Sequence, residues 1–352
     1  MTDYARLLVE RCIDPRPGWQ VLVATTTEAR PLAQELSRLL AERGAYALTR
    51  IAFGGAFPVD LDWIEAAAPE LAPTLAPLER HVLDEIDGSI FVLAPEPEPR
   101  RLDEGAARAF RTQVSAYRDR GRAGTIPSVR CDFPCRAYAE RAGLTLEEFA
   151  DVFYEACLRD WDEERRLMEP VRERLDAARE VRVLGEETDL RLSLEGRTAL
   201  VDDGHLNVPG GEVFTSPVED SLEGRILLDV PSHSTDGLVE RIRLRFEGGE
   251  VVEASAETGE PALLRAIATD EGARRAGEFG VGCNRGLTRP LRNVLFDEKM
   301  AGTLHLALGA GFPQLGGRNE RALHWDVIKD LRGGGELHLD GVVAQRDGEW
   351  LP

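Results

Sequence analysis

Lysine is nearly absent from this chain: Lys299 and Lys329 are the only two in 352 residues, and arginine carries the rest of the fixed positive charge. Positive charge as a whole is in deficit, with Lys+Arg 43 against Asp+Glu 63 and a formal net charge of −20. Binding along a nucleic-acid backbone needs a basic patch that releases counterions, so nucleic acid is excluded as an expected partner. The arginine skew also lacks the Lys/Glu enrichment of hyperthermophilic proteins. The five cysteines, Cys12, Cys131, Cys135, Cys157 and Cys283, are an odd and scattered set. They predict reduced thiols in a cytoplasmic protein rather than a disulfide framework. Cys131-x-x-x-Cys135 has no second Cys/His pair at finger-type spacing, which argues against a zinc finger. No apolar run approaches the roughly 20 residues that a bilayer span requires. The opening MTDYARLLVERC reads as an amphipathic helix, without the basic region and long apolar core of a signal peptide. A membrane is therefore not an expected partner either.

What is present is an ordinary globular composition, 43% hydrophobic and 30% charged, in a length suited to about two domains. Residues 1–180 alternate strand and helix signals. Strand patterns at 21–24, 45–52, 89–93 and 124–129 are separated by helical patterns, one through Leu32, Leu36, Leu39 and Leu40 with Gly44 at its C-terminal end, another over 101–117. Strands separated by helices predict an open parallel-sheet α/β domain. The turn after its first strand reads Thr25-Thr26-Thr27-Glu28, not G-x-G-x-x-G, so a dinucleotide site is not expected. The Pro/Glu run over 94–100 reads as a surface loop. Thr145-x-x-Glu148 has the capping-box pattern and opens a helix expected to run to about residue 180, with Phe149, Phe153, Cys157 and Trp161 as its packed stripe.

Residues 181–352 change character. Strand patterns at 181–184, 190–194, 226–230, 242–246 and 251–256, with glycine-rich turns, predict a mostly antiparallel α+β domain whose clearest helix lies over 261–276. Its chemistry-bearing residues sit in four segments. His324 and Asp326 are two apart on a strand pattern, which points both side chains to one face, as two ligands of one metal require. His305 lies inside the apolar strand Gly302–Gly309. A histidine in such a place is more often a satisfied core residue than a ligand. Glu212 follows Pro209-Gly210-Gly211, and Glu278 lies between Gly277 and Gly280. Either is an ordinary glutamate when taken singly, but a buried carboxylate needs a counter-charge, which a metal supplies.

The string Asn207-Val208-Pro209-Gly210-Gly211-Glu212-Val213-Phe214-Thr215-Ser216-Pro217-Val218-Glu219-Asp220-Ser221 resembles the signature of the aminopeptidase T-like metallopeptidases, the thermophilic aminopeptidase family that includes aminopeptidases T and S. Gly277-Glu278-Phe279-Gly280 is similar to a second motif of that family. Phe296-Asp297-Glu298-Lys299 running into Gly302–Gly309 is similar to a third, and His324-Trp325-Asp326 to a fourth, all in the family's order. The resemblance implies a pair of divalent metals, zinc or cobalt, with Glu212, Glu278, His305, His324 and Asp326 as ligands. It implies removal of N-terminal residues from short peptides, a homodimer, and an N-terminal domain that restricts access to the cavity. The donor set suits borderline divalent cations. The sequence leaves the bridging ligand and the catalytic residues open. Glu219 and Glu298 are candidate general bases, Lys299 is expected to pair with a neighbouring acid, and His81, His205, His233 and His338 fall outside the motifs. One departure matters: seven residues after His305 the family carries a tyrosine, and this chain carries Phe312, which has no hydroxyl for an oxyanion.

Two other readings compete. Dihydroxypyridine ring-cleaving dioxygenases resemble this family distantly, and His305, His324 and Asp326 would form their mononuclear Fe(II) triad. Glu212 and Glu278 would then have no purpose. The other is a metal-bearing peptide-binding protein without turnover, motivated by Phe312.

Overall fold

The computed structural model describes the chain except residues 54–56, 58, 96–101, 123, 235–236 and 320–322. Most of the expected 94–100 loop therefore lies outside the described residues. The chain divides into two compact units, Met1–Leu158 with Gly204–Val208, and Arg159–Asp203 with Pro209–Pro352. Among the described residues no helix is long and apolar enough to cross a membrane.

The first unit is built on a parallel sheet. Its strands lie in the order Tyr46–Ala52, Gln20–Thr26, Gly88–Leu93, Ser128–Asp132 and Asn207–Val208. Helices Arg30–Glu42 and Glu104–Arg122 supply the crossovers. Leu32, Leu36, Leu39 and Leu40 are buried, and Gly44 takes φ +74° just past the helix end, as a left-handed cap requires. The fourth strand begins at Ser128 rather than 124.

Thr145 caps the helix Leu146–Cys157 through the expected reciprocal bonds with Glu148. That helix does not continue to residue 180. It stops at Leu158, and Asp160 accepts from Glu163 N to cap a second helix, Trp161–Ala177. An aspartate one residue before a tryptophan-led apolar stripe is a start signal inside what looks like one long period. Phe149, Phe153, Cys157 and Trp161 are all buried, but Trp161 opens the second helix and belongs to the second unit.

The second unit holds two antiparallel sheets. The larger one runs Ser232–Ser234, Gly237–Glu247, Glu223–Leu228, Thr188–Ser193, Glu180–Gly185, Glu336–Leu339, Val342–Arg346 and Glu349–Trp350, with Glu250–Thr258 paired to Gly237–Glu247. The other has five strands in the order His324–Asp330, Thr303–Gly309, Ala276–Gly282, Glu212–Thr215 and Leu200–Asp202. The expected 261–276 helix is shorter, Glu260–Ala266. Asp270 then caps a 3-10 turn at Glu271–Arg274, and Ala276 already begins a strand. Val213, Phe279, Val281, Leu304, Leu306, Leu308, Trp325 and Val327 from the five-stranded sheet join one hydrophobic core with the helix residues Met168, Val171 and Leu175. The mixed architecture, a parallel sheet followed by antiparallel ones, is the expected fold class.

A candidate metal centre on one face of a sheet

Cross-strand register decides which side chains meet. Asp202 pairs with Glu212, Glu212 with Gly282, Gly280 with His305, Glu278 with Ala307, Ala307 with Asp326, and Gly309 with His324. Directly opposed residues share a face, so Asp202, Glu212, Glu278, His305, His324 and Asp326 all project from the side opposite the hydrophobic core. Between them stand Gly280, Gly282, Ala307 and Gly309. A Cβ on Gly280 would lie 2.2 Å from His305 Nε2. The second glycine of the Gly277-Glu278-Phe279-Gly280 motif is therefore the space into which the imidazole lies.

His305 Nε2 is 3.4 Å from Glu212 Oε2 and 3.4 Å from Glu278 Oε1. His324 Nε2 is 3.3 Å from Glu278 Oε2 and 3.6 Å from Asp326 Oδ2. Five of the six residues thus form two groups suited to a cation, Glu212 with Glu278 and His305, and Glu278 with His324 and Asp326. Glu278 belongs to both, with one oxygen turned to each. Each group contains a single imidazole, whereas an iron triad would gather both. The rings are oriented by backbone carbonyls: His305 Nδ1 lies 3.2 Å from Glu298 O and His324 Nδ1 2.9 Å from Ala310 O. A carbonyl accepts only, so Nδ1 carries the proton and Nε2 faces the carboxylates, the arrangement found behind metal-ligating histidines.

The sequence placed five of these residues; the structure adds three neighbours. Lys299 is fully buried, with Nζ 2.9 Å from Glu212 Oε1, 2.5 Å from Glu298 Oε1 and 3.9 Å from Asp202 Oδ2. Its expected pairing with a neighbouring acid is met by Glu298, and the same ammonium also reaches Glu212. Asp202 escaped sequence reasoning because nothing marks Val201-Asp202-Asp203 except the register that sets it opposite Glu212. Glu219 stands apart: its Oε2 accepts from Arg197 Nη2 at 2.8 Å and its Oε1 from Arg318 N at 2.6 Å. Glu298 is the candidate base that lies with the cluster. Phe312 packs its ring 5.6 Å from His324 and 5.1 Å from Phe214. His338 pairs with Glu336, away from these strands.

So many carboxylates out of water disturb one another's protons. Burial pushes Glu212 up to about 8 and Asp326 up to about 6, with Glu298 adding repulsion to both. Glu278, also buried, is held down at about 2 by hydrogen bonds from His305 and His324. Burial opposes charge on the two imidazoles, yet the acids around them raise His305 to about 10 and His324 to about 9. Lys299 is also held well above its ordinary value by Glu212 and Glu298, in spite of burial. The Lys299 ammonium 2.9 Å away opposes the rise at Glu212 and favours its ionised form. Glu212 Oε2 is nonetheless buried without a hydrogen-bond partner among the described residues. An orphaned acceptor, excess negative charge and two imidazoles aimed by their far nitrogens are what a cation would satisfy. The residues fit a metal.

The family profile described as Thermophilic metalloprotease (M29) matches residues 1–350. The chain belongs to that family. Among its relatives, Aminopeptidase 2 of Geobacillus stearothermophilus is 28% identical over 418 residues, covering 100% of this chain and 95% of the relative. Aminopeptidase T of Thermus thermophilus is 30% identical over 302 residues, covering 73% and 72%. The solved structure of wild-type AmpT from Thermus thermophilus superposes with a TM-score of 0.84 at 23% identity, over 100% of this chain and 98% of that one. A 2,5-dihydroxypyridine dioxygenase from Pseudomonas putida has a TM-score of 0.62 at 16% identity, over 99% and 96%. Both structural likenesses are of fold alone. The family resemblance carried by the four motifs therefore extends over the whole chain, and membership makes it a metalloprotease.

Proposed function

We propose that this protein is a metallo-aminopeptidase that hydrolyses N-terminal residues from short peptides with water activated between two divalent cations, zinc or cobalt. Glu212, Glu278 and His305 would hold one cation, and Glu278, His324 and Asp326 the other, with Glu278 as the bridge. The observation that carries this reading is the placement of Glu278 Oε1 toward His305 and Oε2 toward His324. The names of the relatives, aminopeptidases 2 and T, support the reaction class. Charge is compatible with the count: with both imidazoles neutral, as ligands of a metal must be, the carboxylates of Asp202, Glu212, Glu278, Glu298 and Asp326 outweigh Lys299 by more than a single divalent ion would balance.

When bound, the two cations supply an acidified water and polarise the scissile carbonyl. The chain's own residues do the rest. Glu212 offers Oε2 while Lys299 occupies Oε1. Ala310 O and Glu298 O fix the rings. The Glu298 carboxylate, 8% exposed and held by Lys299, would be the general base. A carboxylate near the cations would hold the substrate's free amine, which would restrict attack to N-termini. Phe312 and Phe214 form an apolar wall beside His324. Residues 181–352 would be the catalytic domain, in a cytoplasmic homodimer. The absence of disulfides among the five cysteines is compatible with that compartment.

The test is metal analysis of protein purified without chelator, followed by a screen against aminoacyl chromogenic substrates and short peptides. About two zinc or cobalt ions per chain with release of free amino acids is the expected outcome. One iron per chain would favour ring cleavage. Dipeptide binding without release would make the protein a binder.

A further inference from the structure

The signature around Glu212 continues with Thr215, Ser216 and Glu219, which hold no cation. Ser216 is fully buried, and its Oγ accepts from Phe312 N at 2.9 Å. Glu219 accepts from Arg318 N at 2.6 Å and is tied from behind by Arg197, whose side chain is only 6% exposed. Both acceptors therefore grip one loop, residues 310–319, at its two ends. The loop is closed on itself by Gly311 N to Asn319 O at 2.9 Å and Gly317 N to Phe312 O at 2.9 Å. A Cβ on Gly317 would lie 2.6 Å from Ser216 Oγ, so the hydroxyl sits directly against the loop backbone. The first residue of this loop, Ala310, has the carbonyl that accepts from His324 Nδ1, and two residues later Phe312 meets the same imidazole edge-to-face.

We propose that Ser216 and Glu219 are positioning residues of the metal centre. Through the 310–319 loop they fix the carbonyl that selects the tautomer and angle of His324, and they hold Phe312 in place beside it. The proposal rests on the two-cation reading above. It assigns the signature two tasks: Glu212 is a ligand of one cation, and the residues four and seven positions later set up the histidine of the other. His305 is independent of this grip, because its Nδ1 acceptor is Glu298 O.

The separation of the two histidines provides the test. Ser216→Ala and Glu219→Gln, each stripped of metal and titrated with zinc against a chelating indicator, should weaken one of the two binding constants about tenfold, the usual scale for a lost outer partner. The other constant should stay at the wild-type value. A general loss of stability would instead lower both constants or the melting temperature of the metal-free protein. With the metals saturated, both variants should show a higher KM for substrates with an apolar first residue and a smaller change in kcat, because Phe312 has lost its anchor. Glutamine has one oxygen for the two donors that engage Glu219, Arg197 and Arg318 N, so Glu219→Gln breaks one of those bonds with little change in volume and guards against a Ser216→Ala chain that fails to fold. Two unchanged constants and an unchanged KM in both variants would overturn the positioning role alone. A wild-type chain that binds no second cation would overturn the two-cation reading and this role with it.

Discussion

Metal uptake by this centre should expel protons, and the number follows from the ionisation of the empty cluster. A cation binds only deprotonated imidazole and carboxylate. At pH 7 the metal-free protein has His305 and His324 protonated, since their pKa values stand near 10 and 9, while Glu278 and most of Asp326 are ionised. Glu212 adds a further proton to the extent that Lys299 does not already keep it ionised. Loading two cations should therefore release at least two protons per chain, and any ionisation of a bound water adds to that. The logarithm of the product of the two binding constants should accordingly rise by about two or three for each unit of pH between 6.5 and 8.5. The sign for stability is opposite in the metal-free protein. A raised histidine pKa stabilises the fold fully below the unfolded value, near 6.5, and that contribution disappears as pH climbs through 9 and 10. Chelator-treated protein should thus melt at falling temperature from pH 6.5 to 10, while saturating zinc should flatten or reverse the trend. A weakly buffered titration of stripped protein with zinc, read by a pH indicator, counts the protons. Release of fewer than about one per chain would refute the account, because it would mean the imidazoles were neutral before the metal arrived.

Glu278→Gln removes a carboxylate turned to both cation groups and should reduce bound metal from two ions per chain to one or none by elemental analysis; unchanged content would show that Glu278 is no ligand. Gly280→Ala puts a methyl 2.2 Å from His305 Nε2 and should weaken zinc binding by at least about tenfold with the far-ultraviolet dichroism unchanged; normal affinity would mean the ring does not lie over that glycine. Phe312→Tyr places a hydroxyl beside His324 and should raise kcat on aminoacyl substrates if an oxyanion donor is what the chain lacks. No gain there would show that another group already serves.

The parallel and antiparallel halves were legible because each strand carries its period locally, and the four motifs marked the five residues that the structure gathers on one sheet face. Two boundaries were misjudged for one reason. Asp160 and Asp270 cap a new helix and a 3-10 turn inside stretches whose apolar period looks continuous, and a single capping aspartate is easily absorbed into a charged face. Asp202 and Ser216 were missed because their importance lies in pairing across strands and loops, Asp202 with Glu212 and Ser216 with Phe312 N. Ser216 and Phe312 lie 96 positions apart, and Asp202, though only ten before Glu212, belongs to no motif and is marked by the strand register alone. Glu219 was weighed as a base on the strength of its motif, and the structure instead engages both of its oxygens with Arg197 and Arg318.

The scarcity of lysine has a practical corollary. Lys299 is wholly enclosed among acids, and Lys329 is enclosed too, 2% exposed, beside Asp229 and Leu227 O. In the folded chain, reagents that acylate or methylate side-chain amines have no accessible target, so conjugation or cross-linking through lysine should fail. Modification that does appear at either position becomes a clock for transient opening of the molecule.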